Sequence, residues 1–144
     1  MSVSDKEKIV KIMKDNSLHA YLATVDGDQP FVRPVSPIIE DDMKIWVTTF
    51  CTSRKVGHVQ ENPKICLAFV EQPSGHKAAV VFGRAHVVPD LEMKRRVWNL
   101  ARFDLSQHFP EGPKCREFGL LRIIPDKVEW RDSWEAGNKI YKPV

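Results

Sequence analysis

Cysteine is scarce: Cys51, Cys66 and Cys115 are odd in number, widely spaced and without a Cys-x-x-Cys pair. That argues against a disulfide framework and against a zinc site. Long apolar runs are missing too. No segment approaches the roughly 20 residues of a transmembrane helix, and the opening MSVSDKEKIVKIM lacks a signal-peptide apolar block. The expectation is a soluble protein of the reducing cytoplasm, with no membrane partner. GxGxxG and GxxxxGKS/T are absent, which removes the familiar dinucleotide and P-loop sites. GxSxG and HExxH are absent as well, leaving hydrolase and zincin chemistry without support. Charge of one sign is in slight excess only: 22 Lys and Arg against 19 Asp and Glu give +3. These charges are interspersed and not gathered into an arm, so nucleic acid is not the expected partner.

What is present suffices for a core. At 144 residues and 42% hydrophobic content, the chain reads as one domain, residues 1–144, able to bury roughly two thirds of its unfolded surface. Ser4 to Glu7 has capping-box spacing, and Ile9, Val10, Ile12 and Met13 follow at helical period, predicting a helix over 5–15. Extended runs follow at 19–25, 30–39, 44–49, 64–70 and 78–88, with Gly83 as a bulge or bend in the last. Pro34 and Pro37 interrupt the second run, where they cannot donate ladder hydrogen bonds. A helix from about 91 to 103 is expected to bury Leu91, Val97, Trp98 and Ala101. After an irregular loop, two last strands, 120–124 and 128–134, are placed around a Pro125-Asp126-Lys127 turn, with a polar tail over 135–144. About six antiparallel strands with flanking helices and no βαβ alternation predict a mainly β, Greek-key barrel.

The chemistry-bearing stretch is KIWVTTFCTSRKVGHVQENPKICLAFV, Lys44 to Val70. A strand ends in hydroxyls, Thr48, Thr49, Thr52 and Ser53, and a helix over 53–61 opens with Arg54 and Lys55. Free N–H groups at a helix start, two cations and several hydroxyls make an anion corner. An ordinary Ser cap followed by solvated basic residues explains the same letters. Arg33, just before the proline-interrupted backbone of Pro34, Val35 and Ser36, is placed to hold the anionic end of a planar ligand. Cys51, beside the helix start, is read as a buried structural residue. The five histidines lack ligand spacing and read as structural or solvated. Trp130 and Trp134 are four apart on a predicted strand, hence on one side: core, dimer contact, or a cover for a flat cofactor.

VRPVS (32–36), VTTFCTSRK (47–55) and ENPKICLAF (61–69), in that order, resemble the pyridoxamine phosphate oxidase-like family of FMN-binding split-barrel proteins. The likeness extends from about Ala20 to Val88 and, more loosely, to LLRIIPDKVEW. It implies that Arg33, Ser53, Arg54 and Lys55 hold the FMN phosphate. It further implies that the backbone of Pro34, Val35 and Ser36 meets the isoalloxazine and that Thr48 and Thr49 supply hydroxyls. A homodimer with FMN at the subunit interface is also implied, Trp130 or Trp134 of one subunit covering the ring of the other. Authentic pyridoxamine phosphate oxidases have a glutamine where this chain has Ala78, and a substrate-gripping C-terminal arginine with no counterpart here. The resemblance therefore leans to the general-stress and nitroimidazole-reductase-like branches. The function so implied is an FMN-dependent oxidoreductase passing electrons from a nicotinamide donor to a small acceptor, with no catalytic side chain marked. Two alternatives stay open: the same fold holding deazaflavin or haem, and a non-enzymatic ligand- or nucleic-acid-binding barrel.

Overall fold

A computed structural model describes residues 3–143; Val144, the last residue of the predicted tail, lies outside them. The elements run α1 (Asp5–Asp15), β1 (Ala20–Asp26), β2 (Gln29–Val35), β3 (Ile38–Ile39), β4 (Ile45–Phe50), α2 (Arg54–Glu61), β5 (Lys64–Val70), β6 (Ala78–Val87), α3 (Leu91–Leu100), β7 (Phe118–Arg131) and β8 (Lys139–Tyr141). Two single turns of 3₁₀ helix, Leu105–Gln107 and Gly112–Lys114, punctuate the loop between α3 and β7.

The strands form one antiparallel sheet, ordered β2-β1-β5-β6-β7-β4-β3, with β8 alongside β7. This sheet curls into a split barrel flanked by the three helices. Its path ends at β2 on one side and β3 on the other, and only Ser36 and Pro37 separate these strands in the chain. The proline-interrupted run is thus two strands, because the chain leaves β1 at Val35 and re-pairs with β4 at Ile38.

Alternation along the strands sends Leu22, Ile45, Val47, Leu67, Phe69, Val81 and Ile123 into one core. Helix α1 closes it with Ile9, Val10, Ile12 and Met13, and Ser4 caps that helix by accepting the Glu7 N–H at 3.2 Å. On the opposite face of β4 and β7, Ile38, Trp46 and Leu120 meet Val97 of α3. Both faces of β4 are therefore covered, which is why Ile45, Trp46 and Val47 are buried in succession.

Four sequence expectations change. The two last strands are one, β7, with no turn at Pro125-Asp126-Lys127. Register against β6 passes from Phe82 opposite Lys127 to Gly83 opposite Pro125, so Asp126 is the extra residue of a bulge. Gly83 makes the bulge possible, since a Cβ there would stand 2.1 Å from the Ile124 carbonyl oxygen. Helix α3 stops at Leu100, and Leu91 is exposed while Val97 forms the buried contact. The polar tail contributes β8, paired with Val128 to Trp130. Trp130 and Trp134 do not share a strand: β7 ends at Arg131, Trp130 is 1% exposed in the core, and Trp134 is 57% exposed beyond it.

Candidate functional site

The end of β4 and the start of α2 form a tight corner. The Cys51 N–H donates to the Glu117 carbonyl at 2.8 Å, and the Ser53 N–H donates to the Phe50 carbonyl at 3.0 Å. Gly119, opposite Thr49, allows this closeness, because a Cβ there would meet the Cys51 Cα at 3.1 Å. Cys51 itself is exposed, against the buried role expected of it, since the turn carries its side chain outward.

Ser53 occupies the N-cap of α2 but caps nothing with its side chain. Its hydroxyl lies 3.1 Å from Thr49 Oγ1, which also accepts from Lys55 Nζ at 2.8 Å. The Val56 N–H donates to the Ser53 carbonyl at 3.2 Å instead, which leaves the Arg54 and Lys55 N–H groups at the helix start without a partner among the described residues. Across the opening, Arg33 of β2 donates to the Leu22 carbonyl at 3.2 Å and to Thr24 Oγ1 at 2.7 Å. Thr24 Oγ1 is in turn 2.8 Å from Nδ1 of His58, a buried residue of α2. The threonine oxygen has lone pairs enough to accept from Arg33 while it shares a hydrogen bond with the imidazole, in the direction that the His58 tautomer sets. A buried relay thus ties the Arg33 guanidinium to the helix that carries Arg54 and Lys55.

Phe31, Val32, Arg33, Arg54 and Lys55 line one open concavity of about 260 Å³. Arg54 lies over the Phe31 ring, 5.7 Å from its centroid. Burial first, then the neighbouring Arg54, lowers the Arg33 pKa; burial first, then Arg33, lowers that of Lys55. Both directions mark cations crowded together without compensation. Among the described residues, none of the three forms an ion pair with a carboxylate. A cluster of like charge held by neutral hydroxyls and carbonyls has the chemistry to hold an anion.

Beside the corner a second groove, about 280 Å³, is lined by residues that include Ser36, Thr48, Thr49, Phe50, His108 and Phe109. The Phe50 and Phe109 rings pack 4.8 Å apart, giving it an aromatic wall. Thr49 belongs to both the groove and the hydrogen-bonded corner, so the two are continuous. Of the predicted site residues, the structure brings together Arg33, Thr49, Ser53, Arg54 and Lys55, with Thr48 and Ser36 in the adjoining groove. Pro34 is exposed on the outer side of β2 and Val35 packs against the core. Trp130 and Trp134 line neither concavity. Trp130 packs inside the barrel, and Trp134 stacks on Arg131 at 3.7 Å while its Nε1–H donates to the Ser74 carbonyl at 3.3 Å. Thr24 and His58 were missed by sequence reasoning, and period-two alternation alone can only put Thr24 on the inward face with Leu22.

Residues 6–132, nearly the whole chain, match the family model described as pyridoxamine 5′-phosphate oxidase. The chain belongs to the pyridoxamine 5′-phosphate oxidase family. No curated protein matches it. Solved structures of similar fold include general stress protein 26 of Bacillus anthracis str. Sterne, 24% identical with a TM-score of 0.74, over 96% of this chain and 98% of that one. A NimC/NimA family protein of Clostridium acetobutylicum is 19% identical with a TM-score of 0.76, over 95% of this chain and 90% of that one. A haem-binding protein of Mycobacterium smegmatis is 10% identical with a TM-score of 0.76, over 99% of this chain and 60% of that one. At such identities these neighbours speak for the fold that this member shares with them.

Proposed function

We propose that the protein binds FMN, with the phosphate among Arg33, Arg54 and Lys55 and the ring in the groove of Ser36, Thr48 and Phe50. The observation that carries this reading is the uncompensated cluster of three cations at a helix start. A phosphate monoester, near two negative charges at neutral pH, suits it better than a carboxylate does. The donor set fits: one fixed guanidinium, a lysine held by Thr49, the Ser53 hydroxyl and free N–H groups of α2. When bound, FMN supplies the redox chemistry, here between a nicotinamide donor and a small acceptor. The chain binds and orients: cations anchor one end, while the free edge of β2 at Pro34 and Val35, with Ser36 just beyond it, offers backbone groups to the other.

A homodimer completes this reading. The outer face of β1 and β2 exposes Tyr21 and Val32, and it continues into an apolar groove of about 710 Å³ whose lining includes Ala23, Val25, Cys66 and Phe82. A second copy of the chain is the occupant that suits so apolar a face. Trp134, not the buried Trp130, is the indole available to cover a ring held by the other subunit. Three free cysteines suit a reducing compartment such as the cytoplasm, and no helix among the described residues is long and apolar enough to cross a membrane.

The test is the absorption spectrum of the purified protein, as isolated and after adding FMN, followed by oxidation of a nicotinamide donor with an artificial acceptor. A flavin spectrum with donor-dependent turnover supports the proposal. A haem Soret band, or no uptake of FMN, overturns it.

A further inference from the structure

Away from the phosphate corner, a cavity of about 190 Å³ opens between the end of α1, strand β3 and the end of α3. Its apolar wall includes the buried Pro37 and Ile38, together with Ile39 and Phe103. Leu18 and Leu100, at its rim, are 58% and 41% exposed, unusual for leucines beside a formed pocket. At its mouth the cavity shares Lys14, Asp15 and Arg102 with a polar bowl of about 450 Å³ that also includes Glu7, Lys11 and Asp41.

The charges at that mouth are largely spent. Lys14 pairs with Asp41, and Lys11 donates to Asp15 at 2.8 Å. Glu7 keeps its charge, since the Ser4 hydroxyl that donates to it at 3.3 Å is neutral, but it lines the bowl and not the cavity. Arg102 alone among the three cations has no hydrogen bond or ion pair with any described residue. We propose that this pocket binds a small aromatic carboxylate, its ring against Ile38, Ile39 and Phe103 and its carboxylate on Arg102. Size supports one ring, since a cavity of roughly 150 Å³ is enough to hold benzene. Charge supports a monoanion: one free guanidinium is matched by one carboxylate, and a dianion would meet Asp15 as well. The site is distinct from the cation cluster, though Phe103 also lines the groove beside Thr48.

The experiment follows amide shifts of ¹⁵N-labelled full-length protein titrated with benzoate, and with benzyl alcohol as the uncharged analogue. Saturable benzoate shifts confined to the segments around 14–18, 37–39 and 100–103 are expected, with benzyl alcohol about tenfold weaker or more. Arg102→Gln, at an exposed position, is expected to fold normally and weaken benzoate by about tenfold or more, the worth of one charge-assisted contact. Its affinity for benzyl alcohol is expected to stay at the wild-type value. Equal benzoate affinity in Arg102→Gln, equal binding of benzyl alcohol by the wild type, or no saturable shift would overturn the proposal. Shifts of the same amides that follow protein concentration instead would assign the pocket to contact between copies of the chain, and would also overturn it.

Discussion

Thr24→Val tests whether the buried relay organises the cation cluster. Valine keeps the shape of threonine but deletes the oxygen that accepts from Arg33 at 2.7 Å and pairs with His58 Nδ1 at 2.8 Å. Thr24 and His58 are 1% and 8% exposed, so water does not readily replace the lost partner. Leaving the His58 nitrogen unpaired costs about 1–3 kcal/mol, which in a domain of this size lowers Tm by roughly 3–10 °C. Arg33 keeps only its contact to the Leu22 carbonyl. Re-ordering a freed side chain on binding costs about 0.5–1.5 kcal/mol, so FMN affinity should fall by about three- to tenfold. Thr24→Ser, which retains the hydroxyl, should keep FMN affinity near the wild-type value. Thermal melts and flavin-fluorescence titrations read both effects. Wild-type FMN affinity in Thr24→Val, or an equal loss in Thr24→Ser, would refute the relay.

Gly83→Ala should destabilise the fold by about 2–4 kcal/mol, seen as a lower urea midpoint, because its Cβ collides with backbone and not with a yielding side chain. Lys55→Gln should raise the Tm of the unliganded protein while weakening FMN. The lowered Lys55 pKa means the unfolded chain binds more protons between the folded and unfolded values, so unliganded stability should rise with pH through that alkaline window. Below it the charge penalty is fully present, and the lysine-to-glutamine change should flatten the slope in stability-versus-pH measurements. Trp134→Leu should shift stability by under about 1 kcal/mol, as expected for an exposed cation–π contact with Arg131. It should nevertheless raise the fluorescence of bound FMN if this indole covers the ring, and unchanged fluorescence would remove it from the site.

Much of the architecture was legible because period and punctuation agree. The Ser4 cap, the hydrophobic spacing of α1 and the bounds of β5 follow from local letters. Pro125 misled because a proline beside aspartate suggests a turn, whereas its bulge depends on Gly83, some forty residues earlier and adjacent only across the sheet. The tail strand β8 was hidden for a similar reason: three residues carry no period, and pairing with β7 decides their state. In the site, Arg33, Ser53, Arg54 and Lys55 could be named from sequence, and the fold does bring them together. The missing carboxylate, which makes the cluster meaningful, could not be read, since it depends on where nineteen acidic residues end up in space.

The most direct test of the FMN reading is a fluorescence titration of FMN and of riboflavin, which lacks the phosphate, against the wild type and the Arg33→Ala, Lys55→Ala double variant. Two lost charge-assisted contacts, each worth about 1.5–3 kcal/mol, predict at least a hundredfold weaker FMN binding in the double variant. Riboflavin should bind both proteins alike, and more weakly than FMN binds the wild type. Equal FMN affinity in the two proteins, or no FMN binding by either, would contradict the account.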